Sequence, residues 1–336
     1  MTSLNVLITA ASRRVPLVRA FRAALRSCGL RGRIVVTDVN PLSPAVHMAD
    51  QWQLVPMATA PDYLGTILRI CEAERVGLVI PTIDDELELF GKATDLFNAR
   101  GIKVAVSPEW TSRTCNDKFA TCHYLRQQGI RAAETFLPSS LPASVSLPLF
   151  IKPRFGRGGV GAFPVRSRRE LDFFIDYIDT PVIQEYLDGP EFTIDVLCDF
   201  AQRPLSVVPR ERVVIRAGVI DRGRTVRDQA LIDLGVSVAE ALPLVGAANI
   251  QCRVVDGQAI VFEINPRFSG GIPLTIAAGA DFPRLLVELA CGRAVTAACL
   301  TFQDNLWMTS YESSIFVDGE GLIARNQLPL VIGDVA

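Results

Sequence analysis

Asn249-Ile250-Gln251-Cys252-Arg253-Val254-Val255, then Asp256-Gly257-Gln258, then Ala259-Ile260-Val261-Phe262-Glu263-Ile264-Asn265-Pro266-Arg267 is the stretch on which the reading of this chain turns. Two runs of apolar alternation around a turn signal predict an antiparallel hairpin. Side chains two apart on a strand share a face, so Asn249, Gln251 and Arg253 project together, as do Glu263 and Asn265. A three-residue turn at Asp256 to Gln258 pairs Val254 with Ile260, Cys252 with Phe262 and Ile250 with Ile264, which makes one face wholly apolar. A two-residue turn mixes polar with apolar at every pair, so the three-residue turn is expected. It sets Gln251 opposite Glu263 and Asn249 opposite Asn265. One carboxylate among three amides is a hard oxygen set suited to Mg²⁺, with Mn²⁺ the alternative ion. A polar sheet face open to water is the plainer alternative, but such faces carry lysine, glutamate and threonine rather than amides grouped beside an acid.

Arginines accumulate around this hairpin. Arg267 follows it after one proline, and Arg210, Arg212 and Arg216 share a strand face if Arg210 to Arg216 is regular. Guanidinium forks match phosphate and carboxylate, which suits a nucleotide or an acidic substrate; for each of the four a surface salt bridge is the alternative. Upstream, Phe150-Ile151-Lys152-Pro153 runs into Arg154-Phe155-Gly156-Arg157-Gly158-Gly159-Val160-Gly161. A lysine at a strand end beside glycines with free N–H groups can meet phosphate oxygens. A Walker loop needs Gly-Lys-Ser/Thr and an immediate helix, whereas Val160 to Val165 reads as a returning strand, so a nucleotide is expected under a hairpin flap. Taken alone, such a run is usually only a turn. Of the 34 basic residues only Lys92, Lys103, Lys118 and Lys152 are lysine, and a lysine kept where arginine is the default points to a compact charge.

Between flap and hairpin lies Gln184-Glu185-Tyr186-Leu187-Asp188-Gly189-Pro190-Glu191, an apolar strand end followed by a Gly-Pro turn, which is how a chain crosses between lobes. Backbone there can pair with a purine edge, and Glu191 has two oxygens for ribose hydroxyls; a hinge with a solvated glutamate is the alternative.

Residues 4 to about 110 alternate apolar runs (Leu4 to Thr9, Arg33 to Thr37, Leu78 to Pro81, Lys103 to Val106) with amphipathic stretches such as Val15 to Ser27. This βαβ pattern predicts a parallel sheet covered by helices. The first turn, Thr9-Ala10-Ala11-Ser12-Arg13-Arg14, stands where a dinucleotide fold carries GxGxxG, and Asp38 where its ribose acid stands, but the glycines are missing and NAD is disfavoured. Ser12, Arg13 and the helix start are left to meet a small anionic group, or to face solvent. Asp84, Asp85 and Glu86 either hold an amine or form an acidic helix start. Asn116 is expected to cap a helix over Lys118 to Gln128 that Gly129 ends, and Ser167 to Glu170 to form a capping box.

The length of 336 residues implies two or three lobes. A net charge near -2 with mixed signs leaves no basic stripe for nucleic acid. Eight scattered cysteines and two histidines offer no CxxC or zinc pattern, so reduced, mostly buried thiols are expected. No apolar run is long enough for a signal peptide or a membrane span, and a cytoplasmic setting is expected.

Taken in order, Asn116-Asp117-Lys118, Phe150 to Pro153, the glycine flap, Gln184 to Leu187, Glu191, Asn249 to Gln251 and Glu263 to Arg267 resemble the ATP-grasp superfamily. The wording is similar to carbamoyl-phosphate synthetase large-subunit domains and to small carboxylate–amine ligases, over roughly residues 110 to 290. The resemblance implies an α/β chain with a Rossmann-like pre-ATP-grasp domain (1–112), then a two-lobed ATP-grasp fold that is α+β in its ATP-binding part. Its small lobe (113–185) would carry the flap and its large lobe (186–336) the Mg/ATP site.

It further implies that Lys118 and Lys152 contact ATP phosphates while Gly156, Gly158 and Gly159 close over them. Gln184, Glu185, Tyr186 and Leu187 would line the adenine and Glu191 hold the ribose. Gln251, Glu263 and Asn265 would bind Mg²⁺, with catalysis carried by Lys152, Arg216 and Arg267. The expected reaction is ATP-dependent ligation of a small carboxylate to an amine through an acyl phosphate, releasing ADP and phosphate.

The chain departs from the synthetase pattern in having one such unit and Gly270-Gly271 after Phe268-Ser269, which favours an organic carboxylate over bicarbonate. A synthetase-like enzyme and a nucleotide-binding regulatory protein are the rival readings. Neither nucleic acid nor membrane is an expected partner; a homodimer is one allowed assembly.

Overall fold

The computed structural model describes residues 3–156, 158–216, 218–295 and 301–319; Arg157 of the glycine run, Cys299 and the last stretch of the expected large lobe lie outside them. The N-terminal sheet is built from β1 (Asn5–Ile8), β2 (Ile34–Asp38), β3 (Gln51–Leu54), β4 (Val76–Ile80) and β5 (Lys103–Val104), all parallel, in the order β3-β2-β1-β4-β5. Helices α1 (Val15–Ser27), α2 (Tyr63–Ala73) and α3 (Asp84–Asn98) cover it. The amphipathic α1 buries Leu17, Val18, Phe21, Ala24 and Leu25. Strand order reverses between β1 and β4, so the loops that leave these two strands flank a switch-point crevice, where such sheets take their ligands.

Both loops are held rigidly. Ala10 and Ser12 adopt φ of 46° and 45°, a left-handed backbone uncommon for residues with a Cβ. The strain is sustained because Asp38 Oδ2 accepts the Ser12 N–H at 2.7 Å. Asp38 therefore fixes the turn. On the other side Glu86 is fully buried and accepts from Thr9 Oγ1 (2.8 Å), Tyr63 OH (2.5 Å), and the N–H groups of Thr82 (2.7 Å) and Ile83 (3.3 Å). The expectation that Glu86 helps to hold an amine is thus corrected: its lone pairs are spent inside the domain.

Helices α4 (Glu109–Asn116) and α5 (Lys118–Gln127) pack on the back of the last sheet. The cap of α5 is Asp117, not Asn116, which closes α4. A carboxylate at that position accepts the N–H groups of Phe119 (3.0 Å) and Ala120 (3.1 Å) and also holds the Arg154 fork at 2.9 and 2.6 Å. The small sheet has the order β6-β9-β7-β8, from β6 (Thr135–Phe136), β7 (Leu149–Pro153), β8 (Phe163–Val165) and β9 (Pro181–Glu185), with α6 (Arg168–Tyr177) capped by Ser167.

The large antiparallel sheet contains β10 (Glu191–Cys198), β11 (Pro204–Arg216), β12 (Val219–Thr225), β13 (Gly246–Val255), β14 (Gln258–Asn265) and β15 (Trp307–Thr309), in the order β14-β13-β10-β11-β12-β15. Helix α7 (Gln229–Ala241) covers its back, while α8 (Ile272–Ala277) and α9 (Phe282–Ala290) return to pack against α1.

The β13–β14 hairpin corrects the expected turn and keeps the expected pairing of the polar face. Asp256 and Gly257 alone form the turn, both at positive φ, with Val255 opposite Gln258. The register then shifts between Gln251 and Cys252, and beyond it Gln251 faces Glu263, Ile250 faces Ile264 and Asn249 faces Asn265. Phe262 is the extra residue of this β-bulge. Val261, not Phe262, fills the core opposite Cys252, while Phe262 turns into the cleft beside Glu263. Alternation along the sequence conceals the bulge, because a bulge lets one strand obey two phases.

Candidate active site

A cavity of about 1090 Å³ lies where the three sheets meet. At one end the hinge after β9 carries Tyr186 and Leu187 into its wall. The hinge presses on β13 at Gly189, where a Cβ would stand 2.0 Å from the Val254 carbonyl oxygen. Gln184 lines the same end, but its amide is turned into the lobe, donating to Thr135 Oγ1 at 2.9 Å and Cys122 Sγ at 3.3 Å. Glu185 Oε1 accepts the Glu134 N–H at 2.8 Å. Glu191 is gripped from both sides, by Arg212 Nη1 at 2.6 Å and Arg253 Nη2 at 2.8 Å, and Arg253 also donates to the Gly189 carbonyl at 3.1 Å.

At the opposite wall Gly156, Gly158, Gly159 and Gly161 have φ of 106°, 75°, 69° and 69°, which glycine adopts without strain. Lys118 is buried and its Nζ donates to the Gly156 carbonyl at 2.7 Å. Lys152 is also buried; its Nζ reaches the carbonyl of the bulged Phe262 at 3.3 Å and lies 5.1 Å from that ring's centre. Burial pulls the Lys152 ammonium below the usual lysine range, with Glu263 opposing.

The amide–acid cluster has the geometry its register requires. Glu263 Oε1 accepts from Asn265 Nδ2 at 3.0 Å and Gln251 Nε2 at 3.4 Å, and Asn249 Nδ2 donates to the Asn265 and Arg267 carbonyls at 3.2 and 3.0 Å. Among the described residues no group of three or more His, Cys, Asp or Glu gathers to hold a metal. A divalent ion here would rest on one carboxylate, amide oxygens and the phosphates of a bound nucleotide, and that donor chemistry fits Mg²⁺.

The three arginines of β11 do not share one environment. Register shifts on either side of Val214 break the strand's regularity after Arg212. Arg210 is sealed against Asp195, Arg212 enters the cleft, and Arg216, 61% exposed, lies at the rim 3.0 Å from Glu312. Arg267 forms a two-pronged pair with Asp84, Nε to Oδ1 at 2.8 Å and Nη2 to Oδ2 at 2.7 Å, and Nη2 also donates to Asn265 Oδ1 at 3.1 Å. Ser12 and Arg13 are exposed in the cavity wall, while Arg14 donates to the carbonyls of Thr82 (2.8 Å) and Phe268 (3.0 Å).

Sequence reading thus missed the partners of Asp84, Arg14 and Arg253 and the intrusion of Phe262. The acid after a buried strand was visible; its partner 183 residues away was not.

Residues 178–313 match the family model described as "ATP-grasp in the biosynthetic pathway with Ter operon", and residues 6–105 match "PylC-like, N-terminal domain". Residues 178–313 are an ATP-grasp domain. The chain is 24% identical over 314 residues to the carbamoyl phosphate synthase large chain of Thermoanaerobacter sp. (strain X514), covering 84% of this chain and 28% of that one. It is 29% identical over 315 residues to the same protein of Caldanaerobacter subterraneus subsp. tengcongensis, again covering 84% and 28%. The chain therefore spans little more than a quarter of these relatives' length.

Among solved structures, an L-amino acid ligase from Bacillus licheniformis superposes with a TM-score of 0.68 at 19% identity, covering 86% of this chain and 74% of that one. A biotin carboxylase from Campylobacter jejuni, described as a beta-gamma-ATP complex, gives 0.70 at 14%, covering 90% and 74%. At such identities the likeness shows the ATP-grasp fold. No helix among the described residues is long and apolar enough to cross a membrane.

Proposed function

We propose that the protein is an ATP-dependent carboxylate–amine ligase whose ATP-grasp cleft forms an acyl phosphate. The observation that carries this reading is the convergence on one cavity of Lys152 from the small sheet, the Gln251–Glu263–Asn265 face from the large sheet, and Arg267 at its end. In this reading the hinge backbone at Glu185 to Leu187 meets adenine and Glu191 the ribose, with Arg212 and Arg253 keeping its carboxylate in place. Gln251, Glu263 and Asn265 would hold Mg²⁺, which when bound neutralises phosphate charge; Mn²⁺ suits the same oxygens. The divisions at about residues 112 and 185 then separate a substrate-facing domain, a flap-bearing lobe and a metal-bearing lobe.

The substrate carboxylate attacks the γ-phosphorus in line. The Lys152 ammonium and the Arg267 guanidinium stabilise the charge that spreads over the transferring group. Lys118 holds the base of the glycine flap through the Gly156 carbonyl, and the flap excludes water from the acyl phosphate until the amine arrives. Arg216 stands at the rim, on the path of an acidic substrate. The free thiols among the described residues accord with a reducing, cytoplasmic setting, and burial pushes Cys71, Cys198 and Cys252 up to about 12, leaving them inert.

The test is ADP release with Mg-ATP across amino acids and other carboxylates, offered singly and in pairs with amines. Turnover that requires a carboxylate, and falls by about a hundredfold or more in Glu263→Ala, is expected. Tight nucleotide binding with no turnover for any pair would favour a regulatory protein instead.

A further inference from the structure

We infer that Asp84 is a positioning residue for Arg267, so that the N-terminal domain completes the phosphoryl-transfer end of the cleft; this rests on the ligase reading. Asp84 opens α3, directly after the β4 strand that borders the switch point. Its two oxygens take Nε and Nη2 of Arg267, a parallel pair that fixes the plane of the guanidinium as well as its place, and both side chains are only 11% exposed. With Nη2 also given to Asn265 Oδ1, the edge left for a ligand is Nη1, whose one contact at 3.4 Å to the Phe268 carbonyl is long. Arg267 is therefore presented edge-on by an acid from another domain.

The support behind Asp84 is stiff. Glu86, two residues on in the first turn of the same helix, accepts the N–H groups of Thr82 and Ile83 and the Thr9 hydroxyl, which locks the loop that carries Asp84. Arg14 ties that loop to the segment following Arg267, bonding the Thr82 and Phe268 carbonyls with one guanidinium. Two bridges from the N-terminal domain thus converge on residues 267 and 268, immediately after the metal face. A surface ion pair would need none of this backing.

Positioning predicts a loss confined to the terminal phosphate. Binding of Mg-ADP and of the non-hydrolysable β,γ-imido analogue of Mg-ATP is measured by calorimetry on the full chain, unaltered and as Asp84→Asn and Asp84→Glu, each at a temperature where circular dichroism shows it folded. In Asp84→Asn the analogue should weaken about tenfold while Mg-ADP stays within about twofold, and Asp84→Glu, which keeps the charge, should recover most of the loss. An equal loss for both nucleotides would reduce Asp84 to a support of the fold and overturn the inference. So would no loss, or a gain, which would make Asp84 a competitor of phosphate for Arg267. Failure of the unaltered chain to bind either nucleotide is a distinct result: it would sink the ligase reading, and this inference with it.

Discussion

Arg210 and Arg212 stand two residues apart on β11 and meet two acids of β10, yet they end as different devices. Arg210 and Asp195 are each 1% exposed, joined by Nε–Oδ2 at 2.7 Å and Nη2–Oδ1 at 3.0 Å, with Ser269 and Thr275 adding a bond to each partner and Arg210 Nη1 left unbonded among the described residues. One cation meets one anion, buried in the cavity wall. Arg212 meets Glu191 inside the cleft, but Glu191 is shared with Arg253, and with Lys152 beside Glu263 three cations there face two carboxylates. Balanced charge out of solvent is scaffold; charge in excess within a cleft is an offer to an anion. Burial pulls Arg212 below the usual guanidinium value, with Glu191 opposing, which marks the cost of holding that excess away from water.

The largest effect is expected at the sealed pair. Arg210→Met leaves Asp195 buried without its cation and should cost about 3–5 kcal/mol in urea unfolding, whereas Arg210→Met with Asp195→Leu should regain most of it. A double variant no better than the single would show that the pair itself, not the stranded charge, stabilises the fold. A smaller effect belongs to the cleft: Arg212→Met should weaken Mg-ADP binding by about 1.5–3 kcal/mol in a calorimetric titration, with a lesser change in unfolding. Unchanged nucleotide affinity would remove the distinction between the two arginines.

The smallest effect concerns a buried acid with no arginine. Burial holds the Glu86 carboxyl above its ordinary value, against the hydrogen bonds that lower it. Its stabilising contribution is complete below the ordinary carboxylate range and is lost as pH rises through the raised value. Glu86→Gln should abolish that decline with pH in chemical unfolding, and an unchanged pH profile would place the titration elsewhere.

The legible parts of the fold were those where one rule governed a segment. The strands Asn5–Ile8 and Ile34–Asp38 follow from continuous apolar runs, because both faces of each are buried, and the helix Val15–Ser27 from periodicity, because one stripe of it is. The strand Gln51–Leu54 escaped, since a half-exposed edge strand with polar glutamines carries little signal. In the candidate site, the shared face of Gln251, Glu263 and Asn265 was legible from alternation, and the place of Lys152 at the cavity from its strand end beside the glycines. The clamp of Arg267 by Asp84 was not, because no local pattern encodes a contact across 183 residues, and neither was the sealing of Arg210, because exposure depends on what α8 lays over the strand.

The bulge at Phe262 makes the hairpin modular. Between the Asp256–Gly257 turn and the bulge, residues pair in one register; beyond it they pair in another. A length change at the turn can therefore be absorbed before it reaches Glu263, since the joint that already tolerates a slip stands between them. The Phe262 carbonyl at that joint accepts from Lys152 Nζ at 3.3 Å, so the bulge that stands between the turn and Glu263 also holds the lysine beside the amide–acid face. Turn length and the amide–acid face are thereby uncoupled on one pair of strands.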